Sequence, residues 1–333
     1  MRMPYVVGQW VRGNRFYGRS SLLTRLATSV YPVIRLLGGR RIGKTSLLRQ
    51  LEHLASPEHS RLVPVFWDLQ GVETGDDLLW TLAEALEDSD SIDRILGRTP
   101  AAPNHPGDIA DWFSRMGREL TDGGRELLLL CDEAEALIAL SSAVPTIVEA
   151  LLQPDRHHAR FRVVLTGSLR LLGLTTRSAP QHDRNEREQT AVEYVGALDP
   201  HAARELVKQS LLPAEERPVW QLDNVERVRQ ACGDHPYLLQ LVAKRSAETG
   251  DVERAIEAVA SDEMIEHFLN VDMDLLEAPD LDLLRGIAKG NPPASLDTDS
   301  SRYRRLTALG YLVGDGQGTS QIANRFLADW LAR

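Results

Sequence analysis

The segment with the clearest chemistry is Gly38-Gly39-Arg40-Arg41-Ile42-Gly43-Lys44-Thr45, which has the spacing G-x-x-x-x-G-K-[ST]. Glycines at this spacing let backbone N–H groups turn inward and form a nest for an anion, and the positive end of a following helix strengthens it. Lys44 is predicted to reach the β- and γ-phosphates of a nucleotide, and the Thr45 hydroxyl to coordinate Mg²⁺. The chain has only three other lysines, at positions 208, 244 and 289, so a chance match is rare.

A pair of carboxylates follows an apolar run further along the chain. Leu127–Cys131 has the length of a buried strand and ends in Asp132 and Glu133. In P-loop nucleotide hydrolases an acid at this place binds the Mg²⁺, so Asp132 is predicted to be a metal ligand. Glu133 is predicted to be the general base that polarises the attacking water. Many strands end in acidic turns, and only the upstream Gly-Lys-Thr makes this pair informative.

Two hydroxyl residues follow the next apolar run, Val163–Leu165, in the turn Thr166-Gly167-Ser168. Open α/β sheets bind ligands at the carboxyl edge of their strands, so Thr166 and Ser168 are placed to contact a γ-phosphate or to orient the water. A Thr-Gly-Ser turn is also an ordinary way to end a strand, and this alternative stays open.

The elements that position these residues follow an alternation of strands and helices. The predicted strands are Val33–Leu37, Leu62–Trp67, Leu127–Cys131, Val163–Leu165 and Val192–Val195. The predicted helices between them are Lys44–Leu54, Asp77–Leu86, Ile109–Leu120 and Ala143–Leu152. Short strands rich in β-branched residues, separated by helices, indicate an α/β domain with a parallel sheet covered on both faces.

After Asp199-Pro200 the pattern becomes helical. Helices are predicted at His201–Ser210, Asn224–Ala231, Pro236–Glu248 and Val252–Asn270. Two more helices, a hairpin and a last helix follow, which is the order of a winged helix: Leu281–Ala288, Ser301–Leu309, Tyr311–Val313 with Thr319–Ile322, and Asn324–Leu331. The predicted domains are therefore a core at 1–198, a helical lid at 199–277 and a winged helix at 278–333.

Taken together, these segments resemble the STAND class of AAA+-like P-loop ATPases, which includes archaeal-type ATPase domains. Besides the phosphate loop, the resemblance is carried by Phe16-Tyr17-Gly18-Arg19 before a helix, Val65–Gln70, Leu165–Ser168 and Gly233–Leu239. It implies a P-loop NTPase sheet core, an α-helical lid and a C-terminal winged helix that bind ATP or ADP with Mg²⁺. It also implies slow ATP hydrolysis and a nucleotide switch, closed with ADP and promoting oligomers with ATP.

The resemblance further implies roles for single residues. Phe16, Tyr17, Gly18 and Arg19 would line the adenine side of the pocket, and residues Gly38 to Ser46 would hold the phosphates. His235-Pro236 would place the imidazole of the lid near the phosphates. Two structural alternatives stay open, a hydrophobic staple for the first turn and a solvent-exposed helix start for His235. The candidates for an arginine finger are Arg177, Arg184 and Arg187, although a solvated charged loop is the favoured interpretation of this segment.

Composition narrows the class of protein. Hydrophobic residues make up 43% and charged residues 26%, as in ordinary globular chains. No apolar run approaches the roughly 20 residues of a membrane span, and Pro4 and Gly8 interrupt the N-terminal segment, so neither a membrane anchor nor a secretory signal is expected. Two cysteines make no disulfide framework, which favours the cytoplasm. The net charge of −10 disfavours nucleic acid as a general partner.

Three functions stay open. The first is an ATPase switch that acts on a protein partner of unknown identity and forms a homo-oligomer with ATP. The resemblance leads us to expect sensor or effector regions, which the sequence does not show after the winged helix. We expect either that a partner chain supplies them or that the protein uses its ATP cycle differently. The second is an AAA+-like ATPase that binds DNA through its winged helix. The third is an interaction module that nucleotide merely stabilises, and the Asp132-Glu133 pair argues against it.

The composition of residues 278–333 separates the first function from the second. This segment has seven basic and six acidic residues, a net charge of +1. Arg302, Arg304 and Arg305 cluster on the predicted recognition helix, but three arginines neutralise few phosphates compared with a specific DNA-binding protein. DNA binding is therefore the alternative, and packing of this unit against the rest of the protein is favoured.

Overall fold

The five predicted strands form one sheet in the order β2-β3-β4-β1-β5. The computed structural model describes residues 3–56, 60–154, 161–175, 190–291, 300–314 and 320–333. The strands are β1 (Val33–Gly38), β2 (Leu62–Asp68), β3 (Glu126–Asp132), β4 (Phe161–Gly167) and β5 (Thr190–Val195). Strands β1 to β4 pair in parallel. The predicted α/β fold class with a parallel P-loop sheet is confirmed.

The strand order brings the predicted chemistry to one edge of the sheet. β4 lies between β1 and β3, and the register pairs Leu165 of β4 with Cys131 of β3. β4 is buried along its whole length, as expected for a strand that helices cover on both faces. Because neighbouring parallel strands end at the same edge, the residues that end β3 and β4 lie side by side.

Seven helices of the described residues accompany the sheet. They are α1 (Ser20–Thr28), α2 (Lys44–Ala55), α3 (Gly75–Glu87), α4 (Asp90–Leu96), α5 (Ile109–Asp122), α6 (Ala136–Leu140) and α7 (Pro145–Leu152). The sequence did not predict α4 and α6, which have seven and five residues. So short a helix shows too little of a 3.6-residue period to be recognised.

The helical region after β5 contains α8 (Pro200–Lys208), α9 (Leu222–Cys232), α10 (Pro236–Thr249), α11 (Val252–Ala260) and α12 (Glu263–Met273). The prediction of one helix over Val252–Asn270 was wrong. The chain leaves α11 at Ser261, and the Asp262 carboxylate caps α12 by accepting the N–H of Met264 at 2.9 Å. Asp262 also pairs with Arg245, which fixes the break. Aspartate favours such a cap over a place inside a helix.

The C-terminal elements follow the predicted order. Helices α13 (Ala278–Ala288) and α14 (Ser301–Ala308) precede the antiparallel pair β6 (Leu312–Gly314) and β7 (Ser320–Ile322), and α15 (Arg325–Ala332) follows. Thr319, predicted to begin β7, lies outside the described residues. The assignment of this unit as a winged helix stays a prediction.

Two compact units make up the chain. The first unit contains Met1–Arg19, Gly38–Gly43 and Tyr194–Arg333, and the second contains Ser20–Leu37 and Lys44–Glu193. The first six residues of the phosphate loop thus group with the helical region, whereas Lys44 begins α2 of the second unit. The predicted domain boundaries at 198 and 277 stay predictions. In the described ranges, no helix has the length and apolar character needed to cross a membrane.

Candidate active site

A carboxylate held by two hydroxyls forms the centre of the site in the second unit. Thr45, in the first turn of α2, donates its hydroxyl to Oδ2 of Asp132 at 2.6 Å. Thr166, near the end of β4, donates its hydroxyl to Oδ1 of the same carboxylate. Asp132 is 3% exposed and Thr166 is fully buried. The structure therefore brings together three residues that the sequence placed on separate elements.

These oxygens fit the requirements of Mg²⁺. The ion prefers hard oxygen ligands and is usually held by one or two protein oxygens together with phosphate and water. Thr45 and Asp132 already lie within a hydrogen bond of each other, so one ion can contact both. Their assignment as metal ligands stays a prediction that this donor set supports.

Glu133 follows directly and has an unusual backbone. Its φ is +50°, in the left-handed region, and its side chain is exposed. A residue with a side chain costs of order 1–3 kcal/mol in such a conformation, and strained residues of this kind cluster at functional sites. The strain turns the chain sharply after Asp132. Exposure leaves the Glu133 carboxylate accessible to water, as a general base requires.

A second glutamate at this edge was missed by the sequence interpretation. One carboxylate oxygen of Glu135, Oε1, accepts the backbone N–H of Ser168. The other, Oε2, is buried and finds no hydrogen-bond partner among the described residues. The only signal in the sequence was a further acid two residues after Glu133, which is too common to be informative.

The two hydroxyls of the Thr166-Gly167-Ser168 turn differ in their surroundings. Thr166 contacts Asp132, whereas the Ser168 hydroxyl accepts the N–H of Arg170 at 3.3 Å and caps the short 3₁₀ turn Leu169–Gly173. Thr166 is therefore the residue that contacts the candidate metal ligand. The catalytic roles predicted for Lys44, Thr166 and Ser168 stay predictions.

Arg19 contacts the phosphate loop in the first unit. Its guanidinium donates to the carbonyls of Ile42 at 2.7 Å and Gly196 at 2.9 Å. Burial lowers its pKa to about 10. A role on the adenine side stays a prediction for this residue, and the observed contact is with the backbone of the loop. The sequence did not indicate that contact, because no local pattern relates Arg19 to Ile42.

The other residues of the Phe16–Arg19 turn are packed against the helical region. Phe16 and Tyr17 are almost completely buried, and the Tyr17 hydroxyl accepts the N–H of Leu211 at 3.3 Å. Gly18 has φ +71°, and a Cβ there would lie 2.6 Å from the Cβ of Ala202. Only glycine fits this approach to α8.

His235 lies beside the phosphate loop, as the N-cap of α10 with Pro236 at the first turn. Burial, and next the charge of Arg19, lower its pKa to about 3, while a hydrogen bond with the backbone of Arg40 acts in the opposite direction. Its Nδ1 is buried and has no hydrogen-bond partner in the described part of the chain. The imidazole is therefore neutral, and one ring nitrogen is left for another contact.

Arg41 packs on α10, the helix that His235 caps. Its guanidinium carbon lies 4.4 Å from the ring centroid of Tyr237, a cation–π contact. Its own backbone has φ +55°. Lys44 and Ser46 lie in the first turn of α2, next to Thr45. The loop thus contacts the start of α10 through the backbone of Arg40 and the side chain of Arg41.

Two further residues at the loop were not among the predicted ones. Asp272 of α12 accepts the backbone N–H of Arg40 on Oδ1 at 2.7 Å, and Tyr311 donates its hydroxyl to Oδ2 at 2.9 Å. A faint signal existed, because Asp272 lies on the buried face of α12 with Phe268, Leu269 and Met273. An acid among apolar residues needs a partner, but the sequence could not name it.

A comparison with models of protein families matches the part of the chain that contains Thr45, Asp132 and Thr166. Residues 31–174 match the family model described as an AAA domain. The matched segment, which also contains Lys44, is similar to AAA domains. Arg177, Arg184 and Arg187, the candidate arginine fingers, lie after it and outside the described residues. No curated protein matches the chain significantly.

Solved structures resemble nearly the whole chain. The Walker-type ATPase paby2304 of Pyrococcus abyssi is 18% identical, with 97% of each chain covered and a TM-score of 0.64. Cdc6p of Pyrobaculum aerophilum is 14% identical, with 94% of this chain and 92% of that chain covered and a TM-score of 0.50. At such low identity these likenesses establish the fold alone.

Proposed function

We propose that this protein is a Mg²⁺-dependent ATPase that switches conformation with its nucleotide and acts through that switch on a protein partner. The observation that carries the proposal is the Asp132 carboxylate between the hydroxyls of Thr45 and Thr166. It joins the metal-binding end of a phosphate loop to the ends of β3 and β4, which is where nucleotide chemistry occurs in P-loop proteins.

The predicted residues of the phosphate loop and of the sheet edge have separate tasks in this proposal. The backbone of Gly38–Gly43 and the side chain of Lys44 bind the phosphates of ATP or ADP, and Thr45 and Asp132 hold Mg²⁺. When bound, the ion neutralises charge that develops on the phosphate oxygens. Glu133 accepts the proton of the attacking water, so that hydroxide attacks the γ-phosphorus and ADP leaves. Thr166 and Ser168 are proposed to position the γ-phosphate or the water.

The switch is proposed to act through His235. The neutral imidazole has one N–H, which contacts the backbone of Arg40 in this structure, and we propose that it donates this N–H to a phosphate oxygen when nucleotide is bound. Such a contact makes the orientation of the helical region depend on the nucleotide. ADP would favour the closed arrangement through His235. ATP would favour an open form that associates with the partner or with further copies of this chain.

Two ion pairs to a buried aspartate of the C-terminal unit favour a protein partner over DNA. Asp280 is fully buried, and Arg302 Nε lies 2.9 Å and Arg305 Nη2 2.6 Å from its carboxylate oxygens. Two of the three arginines on the predicted recognition helix are therefore paired with an internal carboxylate. Arg302 and Arg304 are exposed, but Arg302 is paired with Asp280, and so few arginines neutralise little of a phosphate backbone.

The cytoplasm is the proposed compartment. Cys131 and Cys232 are both buried and free, and burial raises the pKa of each thiol. Inert, reduced thiols are usual in cytoplasmic proteins.

Titration of nucleotide into the Lys44→Ala variant tests the site. Removal of a charge-assisted phosphate contact is expected to weaken ATP binding at least about tenfold, because such contacts contribute roughly 1.5–3 kcal/mol. Lys289→Ala, an exposed lysine of the C-terminal unit, is the matched control and should bind as the wild type does. Near-normal ATP affinity in a folded Lys44→Ala variant would refute the proposed site.

The switch is tested by light scattering of the apo, ADP and non-hydrolysable ATP forms. A change in compactness or in oligomeric state between ADP and ATP is expected. Identical scattering in all three states would contradict the switch while leaving the ATPase site untouched.

A further inference from the structure

The phosphate loop already binds an anion that belongs to the protein. The N–H of Arg40 is one of the backbone donors of the loop, and it donates to Oδ1 of Asp272 at 2.7 Å. A carboxylate oxygen and a phosphate oxygen have the same chemistry towards such a donor, since both are negatively charged acceptors. Asp272 therefore uses a group that the loop presents to anions.

The carboxylate is held in place from its other side. Tyr311 donates its hydroxyl to Oδ2 of Asp272 at 2.9 Å. Burial, and next the charge of Asp272, raise the pKa of Tyr311 well above its usual value, so the hydroxyl keeps its proton. Asp272 is 4% exposed. The pair thus forms a defined, buried contact between α12, the residue before β6 and the loop.

Gly39 permits the close approach of this pair. A Cβ at Gly39 would lie 3.0 and 3.1 Å from the two carboxylate oxygens of Asp272, and 3.1 Å from the Tyr311 hydroxyl. The carboxylate therefore covers the loop at Gly39 and Arg40, and a phosphate cannot occupy that place at the same time. Two anions that share one donor in a site of low dielectric also repel each other strongly.

We propose that Asp272 is an internal anion that covers part of the phosphate loop and is displaced when nucleotide phosphate binds. Nucleotide then releases the carboxylate and the Tyr311 hydroxyl from Gly39 and Arg40. This inference rests on the proposed function, because it concerns the same loop. The contact of Asp272 with Arg40 then couples phosphate binding to the helical region, and Asp272 sets the affinity for nucleotide.

A merely structural role for Asp272 predicts the opposite sign. If the carboxylate only held the loop in shape, its removal would loosen the loop and weaken nucleotide binding. If it competes with phosphate, its neutralisation strengthens binding, because nucleotide no longer displaces a charged acceptor. The direction of the change in affinity therefore separates the two roles.

Calorimetric titration of ADP and of non-hydrolysable ATP, both with Mg²⁺, into the Asp272→Asn variant is the test. Binding is expected to tighten by about tenfold, since a hydrogen bond to a charged acceptor exceeds a neutral one by a factor of this order. Tyr311→Phe should tighten binding by a smaller factor, because the carboxylate stays but loses one of its partners. Asp274→Asn, an exposed aspartate directly after α12, is the matched control and should leave the affinity unchanged.

Hydrogen exchange of the wild-type chain gives a second readout that needs no variant to fold. Nucleotide binding should make the segments around Asp272 and Tyr311 exchange faster, because both lose their contact with the loop. Slower exchange in both segments, or an Asp272→Asn affinity equal to or weaker than that of the wild type, would overturn the inference.

Lys44→Ala, made alone and together with Asp272→Asn, separates this inference from the proposed function. If nucleotide binding by the wild type depends on Lys44 but Asp272→Asn binds nucleotide no more tightly, the inference fails and the ATPase site stands. Absence of Lys44-dependent binding in both the wild type and Asp272→Asn would remove both.

Discussion

The contact between Thr166 and Asp132 leads to a quantitative prediction for Thr166→Val. Valine has nearly the shape of threonine, so the substitution removes the hydroxyl and leaves the packing of β4 in place. The Asp132 oxygen Oδ1 then loses the hydroxyl that donates to it, in a site where Asp132 is only 3% exposed. Water does not easily replace the lost partner there.

The size of the effect follows from the charge of the acceptor. A hydrogen bond to an ionised group contributes about 1.5–3 kcal/mol to stability, compared with about 0.5–1.5 kcal/mol for a neutral pair. We expect the free energy of opening of β4 to fall by about 1.5–3 kcal/mol in Thr166→Val. Thr166→Ser keeps the hydroxyl and should lose only about 1 kcal/mol for the missing methyl group.

Hydrogen exchange of the segment Phe161–Gly167 is the suitable assay, because a chain of two compact units need not unfold in one step. A double-mutant cycle with Asp132→Asn isolates the charged contact. The loss caused by Thr166→Val should shrink to about 0.5–1.5 kcal/mol once the acceptor is neutral. A coupling energy near zero would show that the hydroxyl does not stabilise this carboxylate, and the argument for the cluster would fail.

Four further outcomes are expected. Glu133→Gln should bind ATP with Mg²⁺ normally but hydrolyse it about 10²–10⁴-fold more slowly in a phosphate-release assay, and an unchanged rate would exclude Glu133 as the general base. His235→Ala should weaken ADP binding more than ATP binding, by about 1–3 kcal/mol in calorimetry, and equal losses would leave His235 without a role in the switch. The pKa of His235 is about 3 in the folded chain, below its unfolded value of about 6.5, so the unfolded chain takes up the proton first and stability is lost as the pH falls below about 6.5. Denaturation at pH 7.5 and at pH 5 should therefore show a smaller loss of unfolding free energy in His235→Gln than in the wild type. Asp280→Ala removes the buried acceptor of Arg302 and Arg305, whose own side chains are partly exposed, and should lower the stability of the C-terminal unit by about 1.5–3 kcal/mol in hydrogen exchange. A neutral result would mean that water replaces Asp280 as the partner of both arginines.

The sheet and the centre of the site were predictable because they depend on local patterns. The strand predicted at Val33–Leu37 is observed at Val33–Gly38, and that at Leu127–Cys131 at Glu126–Asp132. A short apolar run and a glycine-rich turn identify such strands without knowledge of the rest of the chain. Parallel pairing then places the residues after them at one edge, so the meeting of Asp132 and Thr166 followed from topology.

The contacts of the helical region with the loop were not predictable in the same way. Arg40 and Asp272 are separated by 232 residues, and Asp272 and Tyr311 by 39. No periodicity connects residues so far apart, and one acid on a helix has many conceivable partners. The break in Val252–Asn270 was missed for another reason, since apolar residues at helical spacing stand on both sides of Asp262 and conceal its role as a cap.

The left-handed backbone of Glu133 has a consequence for how this position evolves. At φ +50° a glycine would be relaxed, so Glu133→Gly should stabilise the fold by about 1 kcal/mol while it removes the carboxylate. Selection for stability and selection for turnover therefore act in opposite directions on one codon. Among variants screened only for survival on heating, glycine should become enriched at this position, and among variants screened for ATP turnover glutamate should persist.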